Sequence, residues 1–388
     1  MHCQRATSTI AFVTSRKEPN AWERANGPLN GAKSMPAKFY TSPAVYEVER
    51  EHIFGQYWFF VCRAEMVADP GDFRAVETAG GPVIVMRGVD GKLRAFANVC
   101  RHRGALLLRG TGTGNRIVCP YHAWSYNSDG TLATCPDMQG VDGFDPDDNG
   151  LAALRLETWS GFVFLNYRTD GPSLLEHLGD LPARMATHRM DEMRCTWTKT
   201  YYPKCNWKLI LENSLETYHT GILHKNTVGR QTSRTLHTSG NWRGIQVLSG
   251  RSVATLPGVV PPFPVMSGLD ADALLGTYFT VIQPTVQFAI AQDCMWWLNV
   301  TPVGHDRSIL EVGGCFPRAA IDDPEFESKA AAYYERWDAV ALEDFGVLEQ
   351  QQLALGSLLH RPGSLSWRDD EVQAFGKWVC ERLPELPV

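Results

Sequence analysis

The pattern of hydrophobic and polar positions changes twice along the chain. Residues 1–36 are mixed and polar, broken by Pro19, Gly27, Pro28 and Gly31, and read as a lead-in extension without a core of its own. Between residues 58 and 167, short apolar runs alternate with turn signals. Val83-Ile84-Val85-Met86 and Leu93-Arg94-Ala95-Phe96-Ala97 flank Asp90-Gly91, the arrangement expected of a hairpin. Ser128-Asp129-Gly130 repeats the device, and Gly161-Phe162-Val163-Phe164-Leu165-Asn166-Tyr167 reads as a further strand. Beyond this segment the period lengthens. Residues 206–219 and 323–355 carry helical spacing, the second starting near Pro324, with strand-like pieces at 244–248, 278–282, 295–300 and 309–312. The predicted fold class is α+β. An N-terminal all-β domain spans 58–167, and a C-terminal antiparallel-sheet-and-helix domain spans 168–388, with residues 37–57 packing on the latter.

Composition narrows the function classes. The chain has 388 residues, 44% of them hydrophobic and 21% charged, which is enough apolar material for two cores and excludes extensive disorder. The formal net charge of −6 is wrong for a general nucleic-acid binder, which needs basic surface to neutralise phosphates. No run of apolar residues reaches the length of a membrane-spanning helix, so no membrane association is expected. The apolar run from Ile10 to Val13 is too short for the core of a signal peptide, and the ten cysteines show no disulfide-framework spacing. The expected setting is cytoplasmic, with cysteines reduced and free to bind metal.

Two pairs of such residues stand in the all-β segment. Cys100-Arg101-His102 and Cys119-Pro120-Tyr121-His122 form the pattern C-x-H followed, after a spacer, by C-x-x-H. Two thiolates and two imidazoles can hold one tetrahedral zinc. Alternatively they divide between the irons of a [2Fe–2S] cluster, both Cys on one iron and both His on the other. Zinc fingers favour pairs of like ligands, whereas each pair here is mixed, which suits a cluster gripped from two loops. The run Cys100-Arg101-His102-Arg103-Gly104 with Cys119-Pro120-Tyr121-His122-Ala123-Trp124 resembles the cluster-binding motif of Rieske domains. That resemblance implies a small β unit with the cluster held at its tip by Cys100, His102, Cys119 and His122.

A second group lies in the later half. On an ideal helix over 206–219, Glu212, Asn213, Glu216 and His219 fall within roughly 60° of Glu216, which by itself describes a solvated face as well as a site. His219 and His224 would lie about 140° apart on a continuous helix, so they can share a metal only if it breaks between them, and Gly221 is the expected break. Two imidazoles and a carboxylate make the facial triad of iron(II) oxygenases. In the 323–355 helix, Asp344 is the one acid centred on an apolar stripe that includes Tyr333, Trp337, Ala341, Val347, Leu348 and Leu355. A carboxylate there must be protonated, ion-paired or metal-bound.

From about Phe39 onward the chain resembles the catalytic alpha subunit of Rieske non-haem iron oxygenases, the aromatic-ring-hydroxylating family. The second motif is Glu216, His219 and His224; Glu343-Asp344 with Glu349 and Gln352 resembles the family's third-ligand helix. The resemblance implies a helix-grip catalytic domain and mononuclear Fe(II) on His219, His224 and Asp344. It also implies a head-to-tail homotrimer in which Glu216 bridges to His122 of the partner subunit. No Gly-rich nucleotide motif is present, so electrons from NAD(P)H are expected through a separate reductase or ferredoxin. The implied reaction is O2-dependent hydroxylation or oxidative demethylation of a small organic, aromatic substrate. Two features depart from the dioxygenases of fused aromatic rings. Glu216 replaces their usual Asp, and the stretch from Asn213 to His219 is one residue shorter. Both resemble the carnitine, choline and betaine branch, which makes a monooxygenase acting on a quaternary ammonium compound the alternative. Two other classes remain open here, a Rieske electron carrier without oxygenase activity and a zinc-binding interaction module. Trp296-Trp297 either lines a pocket or packs a core, and strand alternation puts only one of them inward.

Overall fold

The computed structural model describes residues 31–384. Strands β1 (Phe59–Arg63), β2 (Asp72–Val76), β3 (Val83–Arg87), β4 (Leu93–Ala97), β5 (Thr111–Thr113), β9 (Ala153–Trp159) and β10 (Phe162–Asn166) form one antiparallel sheet in the order β1-β10-β9-β4-β3-β2-β5. Strands β6 (Arg116–Val118), β7 (Ser125–Asn127) and β8 (Leu132–Thr134) make a small three-stranded sheet beside it. The turn chemistry explains both hairpins. Asp90 accepts the Lys92 amide and pairs with Arg94, and Gly91 adopts a positive φ of 78° between β3 and β4. Gly130 serves β7 and β8 at φ 90°.

The second sheet is also antiparallel, with the order β11-β17-β16-β15-β14-β13-β12. Its strands are β11 (Met193–Tyr201), β12 (Ser233–Thr235), β13 (Trp242–Val247), β14 (Thr277–Ile282), β15 (Val286–Ile290), β16 (Met295–Gly304) and β17 (Arg307–Pro317). One face packs on the first domain, with Phe162 on Phe288 at 4.3 Å and Phe60 edge-on to Trp297 at 5.0 Å between ring centroids. The other face carries helix α2 (Phe326–Leu355), where Trp296 stacks on Trp337 at 5.6 Å. Trp296 and Trp297 are therefore both buried, on opposite faces, because the sheet is covered on both sides. The expectation that only one points inward is corrected. Gly313 and Gly314 on β17 make room for this packing: a Cβ would lie 2.1 Å from the Trp297 ring and 2.0 Å from the Trp337 ring respectively.

Helix α1 (Trp207–Asn213) is shorter than the sequence pattern predicts. Asn206 caps its start through the Lys208 amide at 3.0 Å. The helix stops because side chains capture the next backbone donors and acceptors: the Ser214 hydroxyl donates to Ile210 O, and the Glu216 carboxylate accepts the Tyr218 and His219 amides. His219 to Gly229 then runs as consecutive turns, so the break falls before His219 and not at Gly221. Residues 38–54 pack against α1. Glu49 receives both Lys208 Nζ (2.6 Å) and Trp207 Nε1 (2.9 Å), a fully buried ion pair whose ammonium also lies over the Tyr40 and Trp207 rings. Gln352 of α2 accepts the Asn206 amide at 2.9 Å and donates to Tyr40 O at 3.1 Å. Helix α3 (Asp370–Glu381) closes this core with Phe375 and Trp378.

The first 30 residues of the lead-in, including the Ile10 to Val13 run, lie outside the described residues. Its last residues are not loose: Ser34 N donates to Gly363 O, and Ala32 and Met35 are buried. Arg63, buried at the domain junction, donates to Ser160 O (2.7 Å) and Met193 O (2.8 Å), and Arg74 pairs with Glu311, so the two sheets are fastened together. No helix among the described residues is long and apolar enough to cross a membrane.

Candidate metal centres and substrate cavity

The Cys–His pairs sit on two loops of the same design. In the first, Cys100 N bonds Ala105 O and Gly104 N bonds Cys100 O, with Gly104 at φ 72°. In the second, Cys119 N bonds Trp124 O and Ala123 N bonds Cys119 O, with Ala123 at φ 58°. Each loop turns its thiol inward and its imidazole outward. Cys100 and Cys119 are buried, His102 and His122 stand at the surface, and the two rings lie 4.7 Å apart. His102 stacks on Trp124 at 5.0 Å and 7°. The Nδ1 of His122 is buried without a hydrogen-bond partner, and desolvation, then Arg103 and His102, hold this imidazole below its usual proton affinity. A neutral ring with an unused inward nitrogen, above two buried thiols, is the donor set that an iron–sulfur cluster requires. Tyr126 was not marked by the sequence pattern. Its hydroxyl accepts the Arg101 amide at 3.0 Å and lies 3.3 Å from Cys100 Sγ, so its own proton is free for the sulfur.

In the catalytic domain, His219, His224 and Asp344 bring one ligand atom each to within 4.8 Å of one another. His224 Nε2 lies 2.9 Å from Asp344 Oδ1, and His219 Nε2 lies 4.0 Å from the same oxygen. The opposite nitrogens are engaged by carboxylates: His219 Nδ1 by Glu216 Oε1, and His224 Nδ1 by Glu343 Oε2 at 2.6 Å. Nδ1–H donation to a carboxylate fixes the tautomer that leaves the Nε2 lone pair free, the usual support of a metal-bound histidine. Burial opposes charge on His224, but Asp344 and Glu343 outweigh it and raise its proton affinity above that of free imidazole. A cation placed among these groups answers the same negative charge.

Sequence spacing left Glu343 at the edge of the site, about 100° round the helix from Asp344. It belongs to the site because the turns after α1 pass over that edge, and Thr227 on them also donates to Glu343. The shared helix face expected of Glu212 and His219 does not form. Glu212 turns to the opposite side and accepts from Tyr40 Oη at 2.8 Å, with its carboxyl pushed up to about 7 by burial. Glu349 and Gln352 cap residues 204 and 206 and stand away from the triad.

His219, His224, Asp344 and Glu216 line one wall of a solvent-open cavity, of which about 90 Å³ is accessible to the centre of a water molecule. The other walls include Trp296, Trp337, Phe279, Leu298, Val312 and Arg336. A mostly apolar recess beside a cluster of metal-type ligands has the lining of a small-molecule site.

Comparison with known proteins gives the family. Residues 188–385 match the family model of the ring hydroxylating alpha subunit (catalytic domain), and residues 57–145 match that of the Rieske [2Fe-2S] domain. The carnitine monooxygenase oxygenase subunit of Escherichia coli K12 is 38% identical over 216 residues, 54% of this chain and 58% of that protein. The match thus spans under two thirds of that relative's length. The glycine betaine monooxygenase oxygenase subunit of Chromohalobacter salexigens is 27% identical over 374 residues, 87% of this chain and 82% of that one. The crystal structure of the apo form of the quaternary ammonium Rieske monooxygenase CntA shares the fold, with a TM-score of 0.77, 24% identity, and coverage of 95% of this chain and all of that one. The chain belongs to the ring-hydroxylating alpha-subunit family, whose characteristic cofactors are a Rieske [2Fe–2S] cluster and a mononuclear iron.

Proposed function

We propose that the chain is the terminal oxygenase component of a Rieske non-haem iron oxygenase that uses O2 and electrons from NAD(P)H, through a separate reductase or ferredoxin, to oxidise a small quaternary ammonium compound. The observation that carries this reading is the convergence of His219, His224 and Asp344 on the wall of an aromatic-lined cavity. In it, Cys100, His102, Cys119 and His122 hold the cluster, and His219, His224 and Asp344 hold the iron. When bound, the cluster supplies one-electron transfer and the iron supplies oxygen activation.

The chain's own residues set the conditions. Glu216 and Glu343 hold the Nδ1 protons of the two histidines and so aim both Nε2 atoms at one point. Trp296, Trp337 and Phe279 give the cavity an aromatic wall on which an onium group can pack. The names of the carnitine and glycine betaine relatives favour a quaternary ammonium substrate over an aromatic one. The aromatic reading stays second, on a 35% identity over 210 residues to the anthranilate 1,2-dioxygenase large subunit of Burkholderia cepacia.

The reading includes a head-to-tail homotrimer in a reducing cytoplasm, with Glu216 reaching His122 of the partner subunit. Exposed aromatics beside both ends of that path, Tyr121 next to His122 and Tyr218 near Glu216, are what such a contact would cover. The test is O2 uptake by the purified protein with NADH and a Rieske-system reductase. γ-Butyrobetaine or glycine betaine should stimulate uptake and yield an oxidised product by mass. Stimulation by anthranilate alone would replace the first reading with the second.

A further inference from the structure

The cavity wall carries one buried charge that has no hydrogen bond or ion pair among the described residues. Arg336 lies eight residues before Asp344 on α2, about 12 Å along the axis and about 80° around it on an ideal helix. The residue is 5% exposed. Among the described residues its guanidinium makes no hydrogen bond or ion pair, and its buried Nε has no partner. Its guanidinium carbon lies 5.1 Å from the centroid of the Trp296 ring. The acids of the same cavity are already engaged, Asp344 by His224 and Glu216 by His219, while neighbouring Glu343 serves His224 and Thr227. Burial lowers the pKa of Arg336 to about 10, with Asp344, Cys294 and Glu343 opposing, so the group remains a cation at neutral pH. An unpaired buried cation is costly, and a planar fork of N–H donors on the wall of this cavity, against Trp296, is shaped for a carboxylate.

We propose that Arg336 binds the carboxylate of the substrate, at the Trp296 end of the cavity, so that the remainder of the molecule extends toward His219, His224 and Asp344. The ligand class is a compact carboxylic acid whose other end is an onium or apolar group packed on Trp337 and Phe279. Charge is ordered along the chamber, with the cation at one end and the acidic residues at the other, which matches a zwitterion lying in one direction only. This assignment rests on the oxygenase reading for the chemistry at the far end, and it stands on Arg336 for the anchor.

The experiment compares acids with neutral counterparts: γ-butyrobetaine with its methyl ester, and benzoate with benzamide. Binding to the full-length, metal-loaded protein is read by calorimetry and by tryptophan fluorescence, since Trp296 and Trp337 flank the anchor. Wild type should prefer the acid of at least one pair. Arg336→Met should weaken that acid by about 100-fold, the value of two charge-assisted hydrogen bonds, and leave the neutral partner little changed. Arg336→Lys keeps the charge without the fork and should fall between. Because Arg336→Met removes an unpaired buried charge, its melting temperature should match or exceed that of wild type. If Arg336→Met melts well below wild type, the decision passes to Arg336→Lys, where selective loss of the acid supports the anchor and unchanged acid affinity overturns it. Equal affinity of wild type for acid and neutral forms in both pairs also overturns it. Acid-selective binding without O2-dependent product would leave the anchor standing and remove the oxygenase reading. Turnover indifferent to the carboxylate would do the reverse.

Discussion

Replacing Glu343 by Ala takes away the carboxylate on His224 Nδ1, without touching any of the three residues proposed to hold the iron. The bond is short, 2.6 Å, to a ring that is almost completely buried, and the same carboxylate oxygen also receives Thr227 Oγ1. Without it the Nδ1 proton loses its carboxylate acceptor, which costs about 1 kcal/mol, the low end of the usual range because Glu343 is 32% exposed and water can take its place, and the ring is free to rotate away from Asp344. Outer partners of metal-bound histidines are typically worth about 10–100-fold in metal affinity, or about 1.4–2.7 kcal/mol. Glu343→Ala should fall in that range, while Glu343→Gln keeps an acceptor of similar shape and should lose about half the free energy, since neutral hydrogen bonds are roughly half as strong. The assay is equilibrium against a graded chelator, following mononuclear iron by elemental analysis and the cluster by its visible absorption. The Ala protein should release mononuclear iron at a lower chelator concentration with its cluster absorption unchanged. A chelator midpoint equal to that of wild type would refute the argument that Glu343 orients His224.

Tyr126→Phe removes the proton offered to Cys100 Sγ and should lower the cluster's reduction potential by about 60 mV for a loss of about 1.4 kcal/mol, measured by redox titration; an unchanged potential means the hydroxyl does not bond the sulfur. Gly314→Ala drives a Cβ into the Trp337 ring and should destabilise the catalytic domain by about 1–3 kcal/mol in urea unfolding, whereas wild-type stability would show that α2 can shift freely. Glu371 is buried and its carboxyl is pushed up to about 7, burial outweighing the Arg243 guanidinium 3.8 Å away. Its folded pKa lies above the unfolded value, so its contribution is present below about pH 4.5 and is lost as pH rises through about 7, by up to about 3 kcal/mol. Glu371→Gln should therefore gain stability over wild type at pH 8 and not at pH 4; a gain that is the same at both pH values would contradict the titration.

What the sequence discloses follows the range of each interaction. The C-x-H and C-x-x-H loops are legible because each ligand pair and its turn lie within a few consecutive residues, and the hairpins are legible for the same reason, through Asp90-Gly91 and Asp129-Gly130. Asp344 is legible because a single helix carries both the acid and the apolar stripe around it. The stripe overreaches at Val347, which is 41% exposed while Leu348, Gln352 and Leu355 are buried, because the covering elements meet α2 on the Leu348 side. The end of α1 is not legible from periodicity, since Glu216 binds backbone amides that a helix would have used. Glu343, Thr227 and Tyr126 are hidden because their partners come from other elements. Arg336 is hidden because a charged residue on a mixed helix reads as solvated until the sheet, through Trp296, is placed over it. The burial of both Trp296 and Trp297 likewise depends on two covering layers, a tertiary fact that strand alternation alone does not contain.

The assignment of His219, His224 and Asp344 as the iron site is tested most directly by counting iron in Asp344→Ala beside wild type, with the cluster's resonance signal recorded on the same samples. The account predicts that the variant holds one iron atom fewer per chain than wild type, with the cluster signal undiminished and no O2-dependent product. Equal iron content in the two proteins, or loss of iron from the cluster instead, would contradict it.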